Sequence, residues 1–389
     1  MTCWAVMKQL LEGSRRVTVV ALRYPDDRFA EPEREQAVRE AGADLVVLPV
    51  GEPEASTDGD LVARVFPTAR LAPAMREILE GIGPDAVFIY HWDTLAATRG
   101  VRVAPRLAAV GDPWHLPLLR RWQTTRPRLE RGYLQWSFSV LGGVLPARRA
   151  MVELLNECEA AGCFQAQAAA WLRARGARGC EYLRSPVVDP GPPRNVGAAE
   201  RGAGKPRILV GPSNLAATST RAGLKLFARE ILPRLERELG PDGFEAHLVG
   251  EGEPPEELAR LLPRPSVRLC GRVEPADDEF RSADIQLVPT PFVLGIRLRI
   301  VTAFAFACCV VAHSSERANL PELEHGVNAL LASSGKRLAE AVVQAARDPE
   351  LRRRLGDNGH LTYERYFHPS VAAKPIVERL VALAESGPR

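Results

Sequence analysis

The sequence predicts an α/β protein built from two doubly wound, Rossmann-like halves. Three observations predict it. The chain has 389 residues, more than one ordinary core holds. Short apolar runs alternate with helical patterns along most of its length, the rhythm of parallel strands covered on both faces. A Pro- and Gly-rich stretch from Asp189 to Gly204 stops that rhythm midway, and it then restarts.

In the first half, 17–22, 44–49, 85–90 and 107–110 read as strands, with helices over 31–41 and 71–80. A long helical region follows from about Leu118 to Ala177, broken at Gly142-Gly143. From Ala166 to Asp189 the pattern is helix, turn and strand. In the second half, 207–210, 245–249, 267–270, 285–288, 310–312 and 329–331 read as strands. Helices are expected over 222–239 despite Pro233, over 299–307, over 338–346 and 350–355, and over the tail 371–385. The boundaries that follow are a first domain 1–189, a linker 190–206, a second domain 207–367 and a final helix within 368–389.

Composition narrows the class. Hydrophobic residues make up 46% and charged residues 25%, an ordinary globular balance. A net charge of +3 is too small to argue for nucleic acid. The seven cysteines form no CxxC pair and are odd in number, which fits free thiols in a reducing cytoplasm. No run reaches the roughly 18 apolar residues of a membrane span. The start, Met1 to Arg16, lacks the apolar core of a signal peptide.

Candidate site residues sit where strands end. Ligands of open parallel sheets bind beyond the carboxyl ends of the strands. Gly211, Gly250, Gly271 and Gly295 lie at or beyond such ends. They either let backbone approach a ligand or only make tight turns. A helix starting near Arg297 would aim its first amides at a phosphate, with Arg297 adding bidentate contacts. His91 follows a strand, as a ligand-facing group or a plain loop residue. Asp112 either binds hydroxyls or starts the Asp-Pro turn. From Trp114 to Trp136, Arg120, Arg121, Trp122, Arg126, Arg128, Arg131 and Tyr133 mix basic and aromatic character. That mixture suits either an anionic membrane surface or a solvated charged face. The pairs Asp26-Asp27 and Asp277-Asp278 read as surface charge, and no motif calls for a metal.

Several steps in order carry a resemblance. Ile208-Leu-Val-Gly211, Arg221-Ala-Gly223, Val249-Gly-Glu-Gly252, Val267 to Val273, Ser282 to Pro289, Gly295-Ile-Arg-Leu-Arg-Ile300 and Leu320 to Leu331 follow one another between Ile208 and Phe367. This half resembles the nucleotide-binding domain of retaining GT-B glycosyltransferases, the glycosyl transferases group 1 type. The resemblance implies two Rossmann-like domains facing a cleft, with the final helix crossing back to the first. It implies transfer of a sugar from a nucleotide diphosphate sugar to a glycan or lipid-linked acceptor, with no separate cofactor. Its donor residues would be Gly211, Arg221, Gly250, Gly271, Gly295, Arg297, Arg299, Thr302 and Glu322. Arg297 and His91 would serve catalysis, and Asp112 and Trp114 the acceptor. It implies work on cell-surface glycan in the cytoplasm or at the inner membrane face. A non-catalytic partner of a glycan assembly complex is the alternative.

The chain departs from the pattern in three places. Two glutamates eight positions apart are replaced by Leu294 and Thr302. The R-x4-K pair after the first strand is missing, leaving Arg221 and Lys225 in a longer loop. The chain opens on the helix Trp4 to Leu11 where the family has a strand and glycine loop, which leads one to expect residues upstream of Met1.

Overall fold

The computed structural model describes residues 2–25, 32–51, 60–116, 119, 133–191, 204–254, 256–292 and 294–386, and the side chains of 133–141 lie outside that description. Most of the expected linker, the pair Asp26-Asp27 and most of the Arg- and Trp-rich stretch therefore fall outside the described residues. Two compact units emerge: Met1–Pro186 with Pro369–Arg389, and Val187–His368. All strand pairing within them is parallel.

The described residues of the first unit form two sheets. β1 (Thr18–Arg23) pairs with β2 (Asp44–Pro49). A second sheet runs β3 (Val87–Tyr90), β4 (Arg106–Val110), β5 (Ala160–Cys163) and β6 (Cys180–Tyr182). Both faces of β4 are sealed, since all five of its residues are buried. Leu107 and Ala109 face a cluster that contains Ala5 and Val6 of helix Thr2–Glu12 and Ile376 and Leu380 of helix Lys374–Ser386. Ala108 and Val110 face the opposite cluster, around Trp92, Met151 and Leu154.

Two expectations in this unit fail. Helix Tyr133–Asn156 runs unbroken through Gly142-Gly143 and past Pro146. A glycine costs a helix only about 1 kcal/mol, which 24 residues of helix absorb. The region expected to be helical to Ala177 also contains β5, whose Ala-Ala-Gly-Cys lacks the β-branched side chains that mark a strand.

The second unit is a single six-stranded sheet. Its strands are β7 (Arg207–Asn214), β8 (Glu245–Glu251), β9 (Val267–Gly271), β10 (Ile285–Val288), β11 (Cys309–His313) and β12 (Ala329–Ala332). They lie in the order β12-β11-β10-β7-β8-β9, the doubly wound order with its switch between β7 and β10. Alternation along β7 feeds two cores. Ile208 and Val210 pack with Phe227, Ile231 and Leu338, and Leu209 packs with Val288, Ile300 and Phe304. Pro233 is accommodated by a π-helical turn, Phe227–Ile231, just before helix Leu232–Leu239. The wider turn relieves the proline's missing N–H and its clash with the preceding turn.

Two glycines within β7 and β8 are required by close approach, and β7 runs past Gly211, where the sequence pattern closes it. A Cβ on Gly211 would lie 2.1 Å from the Val249 carbonyl oxygen, and one on Gly250 would lie 2.2 Å from that of Ser213. Gly211 also has φ +133. The glycines thus let β7 and β8 close up where β7 bulges between Val210 and Ser213. Gly211→Ala should lower stability by about 2–4 kcal/mol through strain and strand separation. Thermal unfolding checks it, and a loss below about 0.5 kcal/mol would refute the account of this strand end.

Candidate functional site

The switch between β7 and β10 opens a depression lined by Val210, Gly211, Ser213, Thr220, Gly223, Pro289, Thr290 and Arg299. β7 delivers Gly211 to it, and helix Thr218–Leu226 brings the face of Thr220 and Gly223. Gly223 packs so tightly on Thr290 that a Cβ would reach its Oγ1 at 3.3 Å. β10 supplies Thr290 just past its end.

Helix Leu298–Ala305 begins beside this depression, with Arg297 in the capping position and no side-chain cap. Its first amides are left without helical partners, as at every helix start. The Nε of Arg297 donates to Glu316 Oε1 at 3.3 Å, and the two side chains are only 11% and 2% exposed. The Nη2 of Arg297 is buried and has no hydrogen-bond partner. Arg299 donates one long bond, Nη2 to Thr290 Oγ1 at 3.5 Å, while its buried Nε has no partner. Burial, and after it the neighbouring Arg297 guanidinium, lower its pKa to about 10. It therefore stays cationic at neutral pH but is poorly solvated.

The charge count decides what this corner can do. Two guanidiniums share the field of one carboxylate, Glu316. Each unmet buried N–H costs about 1–3 kcal/mol, and an uncompensated buried charge costs more. An incoming anion with several oxygens would satisfy both arginines and the first helix amides together. The second strand end, on β11, adds His313 and Ser315. Ser315 Oγ lies 2.8 Å from His313 Nδ1 and 3.3 Å from the Thr290 carbonyl oxygen. Burial holds His313 below its usual pKa, so it stands neutral at pH 7.

The expected donor residues fall unevenly around this corner. Gly211, Arg297 and Arg299 are at it. Gly295 is just before Arg297, and its carbonyl accepts from Asn319 Nδ2 at 3.0 Å. Gly250 lies one residue before the end of the neighbouring strand β8. Gly271 closes β9 at the sheet edge. Arg221 is exposed on helix Thr218–Leu226, off the wall formed by Thr220 and Gly223. Thr302 donates its hydroxyl to the Leu298 carbonyl at 3.1 Å, so it offers a ligand lone pairs rather than a proton. Leu294 is buried at 9% exposure. Glu322 is buried, and its carbonyl accepts from Asn328 Nδ2 at 2.8 Å. Glu316, which balances the arginines, was not anticipated. Its position just past β11 is the same strand-end signal that flags His91.

In the first unit, His91 sits between β3 and helix Trp92–Ala97 with φ +79. A left-handed conformation in a histidine is strained by about 1–3 kcal/mol and concentrates at functional positions. The ring is 52% exposed, and its Nδ1 lies 3.9 Å from Asp93 Oδ2. Asp112 follows β4, and its carbonyl accepts from Trp92 Nε1 at 2.7 Å. Trp114 is 40% exposed and its ring lies 5.7 Å from that of Phe66. His91 and Asp112 follow the carboxyl ends of the adjacent strands β3 and β4, as the sequence pattern requires.

Residues 207–348 match the family profile described as Glycosyl transferases group 1. No curated protein matches the chain significantly in sequence. Solved structures share its fold at low identity. A glycosyltransferase from Rickettsia africae ESF-5 is 12% identical with TM-score 0.65, over 98% of this chain and 94% of that one. Sucrose-phosphate synthase from Thermosynechococcus elongatus is 14% identical with TM-score 0.67, over 95% and 100%. Anabaena HepE, in complex with UDP and glucose, is 16% identical with TM-score 0.62, over 98% and 95%. The fold is therefore the GT-B type, and residues 207–348 are similar to the Glycosyl transferases group 1 family.

Because Arg299 is held in an unfavourable setting, replacing it by a well-packing apolar chain should relieve the molecule. Arg299→Met should raise stability by about 1 kcal/mol and abolish binding of inorganic diphosphate. Denaturant unfolding and calorimetry check both. A variant that loses stability by more than about 1 kcal/mol would show the charge is already compensated.

Proposed function

We propose that this chain is a glycosyltransferase that binds a nucleotide diphosphate sugar on its second unit and transfers the sugar to an acceptor held by its first. The observation that carries the reading is the pair of buried N–H groups, Arg297 Nη2 and Arg299 Nε, left without partners where a group 1 glycosyltransferase domain ends its strands. As the glycosidic bond breaks, negative charge gathers on the leaving diphosphate. Two fixed guanidiniums and the first amides of helix Leu298–Ala305 stabilise that charge without reorganising. Gly211 presents backbone to the depression, so the nucleotide can lie close to it. The HepE structures hold UDP and UDP-glucose, which makes uridine nucleotides the first to test.

On the first unit, His91 is the acceptor-side group of this reading, with Asp112 for acceptor hydroxyls and Trp114 as an exposed apolar platform for a sugar face. A glycan or lipid-linked acceptor fits them. No helix among the described residues is long and apolar enough to cross a membrane. The proposed setting is the cytoplasm, with contact to the anionic inner membrane face, in the synthesis of a cell-surface glycan.

A second reading, a non-catalytic binding partner on the same fold, is favoured by one observation. Where the family grips its donor with glutamates, this chain has a buried Leu294 and a Thr302 whose hydroxyl is spent on its own helix. Calorimetry over a panel of nucleoside diphosphates separates the cases. One base should bind, and Arg297→Ala should weaken it about 10–100-fold. Turnover of the matching sugar nucleotide should fall in His91→Gly, while that variant gains about 1 kcal/mol of stability from the relieved φ. Binding without turnover selects the partner reading, and no binding by any nucleoside diphosphate sinks the transferase reading.

A further inference from the structure

The second unit brings together a histidine, a cysteine and a glutamate that no part of the donor site uses. His247 lies in the middle of β8, Cys270 near the end of edge strand β9, and Glu279 on helix Asp277–Ser282, which packs over that sheet face. One ligand atom from each lies within 4.8 Å of the other two. The strand pairing explains how. His247 pairs with Arg268, Leu248 with Leu269 and Val249 with Gly271, so Cys270 is the extra residue of a bulge. Such a bulge re-aims a side chain, and here the thiol turns toward the imidazole two rows away.

We propose that His247, Cys270 and Glu279 form a zinc site. The donor set is imidazole, thiolate and carboxylate, which together suit Zn2+ and exclude the all-oxygen preference of Mg2+ and Ca2+. His247 Nδ1 stands 2.9 Å from Glu279 Oε2. Tetrahedral zinc bonds of about 2.0–2.1 Å need an N to O spacing of about 3.3 Å, an opening of a few tenths of an ångström. The second observation is on the far side of the ring. His247 Nε2 faces Glu245 Oε1 at 3.0 Å, and the histidine side chain is only 2% exposed. A carboxylate this close behind a ligating imidazole is placed to become the outer partner that fixes its orientation and strengthens it as a ligand, and in the metal-free chain Nε2 makes no aligned hydrogen bond. Three protein ligands leave a fourth position for water. Metal binding here would tie the edge strand β9 and helix Asp277–Ser282 to β8. None of the three ligands lines the depression that Arg299 borders, and the role assigned to the metal is to hold these elements together.

The test uses the full-length, untagged chain stripped with a chelator. Zn2+ added at a hundredfold excess over its dissociation constant should raise the unfolding temperature by roughly 5–10 °C. Co2+ in its place should give a sulfur-to-cobalt charge-transfer absorption. That band should vanish in Cys270→Ser, weaken in Glu279→Gln and persist in Cys3→Ser. Because Cys270 is partly exposed, the serine variant keeps its packing and remains readable. No thermal shift together with no cobalt band would overturn the proposal, leaving His247 as a histidine bridged between two carboxylates. A band that survives in Cys270→Ser would overturn it as well.

Discussion

Two guanidiniums facing one buried carboxylate set the terms for the second unit. Arg297 and Arg299 stand on the two sides of the first residue of helix Leu298–Ala305, and Glu316 answers only one charge. Folding alone does not favour such a corner, because a buried and unbalanced cation costs stability. It persists only if the rest of the unit is stable enough to hold it. The long apolar rows on both faces of the six-stranded sheet supply that stability, with Ile300 and Phe304 anchoring the same helix that presents the arginines. The helix is thus core on one side and site on the other. A ligand that brings negative oxygens removes the frustration, and this links packing to function.

The sheet order determines where that ligand can lie. Successive strands leave the β7–β10 boundary in opposite directions, so no crossover helix covers the strand ends there. Helix Thr218–Leu226 enters on one side and helix Leu298–Ala305 on the other. The close contact of Gly223 with Thr290, and of Gly211 with Val249, removes side-chain bulk from the space between. His91 meets a parallel constraint in the first unit. Its strained φ at the end of β3 is held by a backbone bond from its N–H to the Ala109 carbonyl at 2.9 Å.

Most of the fold was legible because buried parallel strands are apolar runs, and this chain writes them plainly in β7, β8, β10 and β11. Where strand chemistry is muted, legibility ends. β5 is four small residues between two helices, and composition alone cannot separate it from them. Arg297 was legible because helix starts and strand ends are local features. Its partner Glu316 was not, since that pairing spans nineteen residues and exists only once β11 is in place. Thr302 shows the same limit. Its position in the motif is visible in sequence, but the hydroxyl's commitment to Leu298 is a property of the finished helix. The His247, Cys270 and Glu279 group has no sequence spacing that names it, because a bulge and a covering helix assemble it.

The unpartnered N–H groups, Arg297 Nη2 and Arg299 Nε, are the proposed seat of the donor diphosphate. A crystal structure of the chain with uridine diphosphate tests this most directly. The account predicts diphosphate oxygens within hydrogen-bonding distance of Arg297 Nη2 and Arg299 Nε, at the start of helix Leu298–Ala305. A nucleotide bound with its phosphates elsewhere, leaving both arginines as they are, would contradict it.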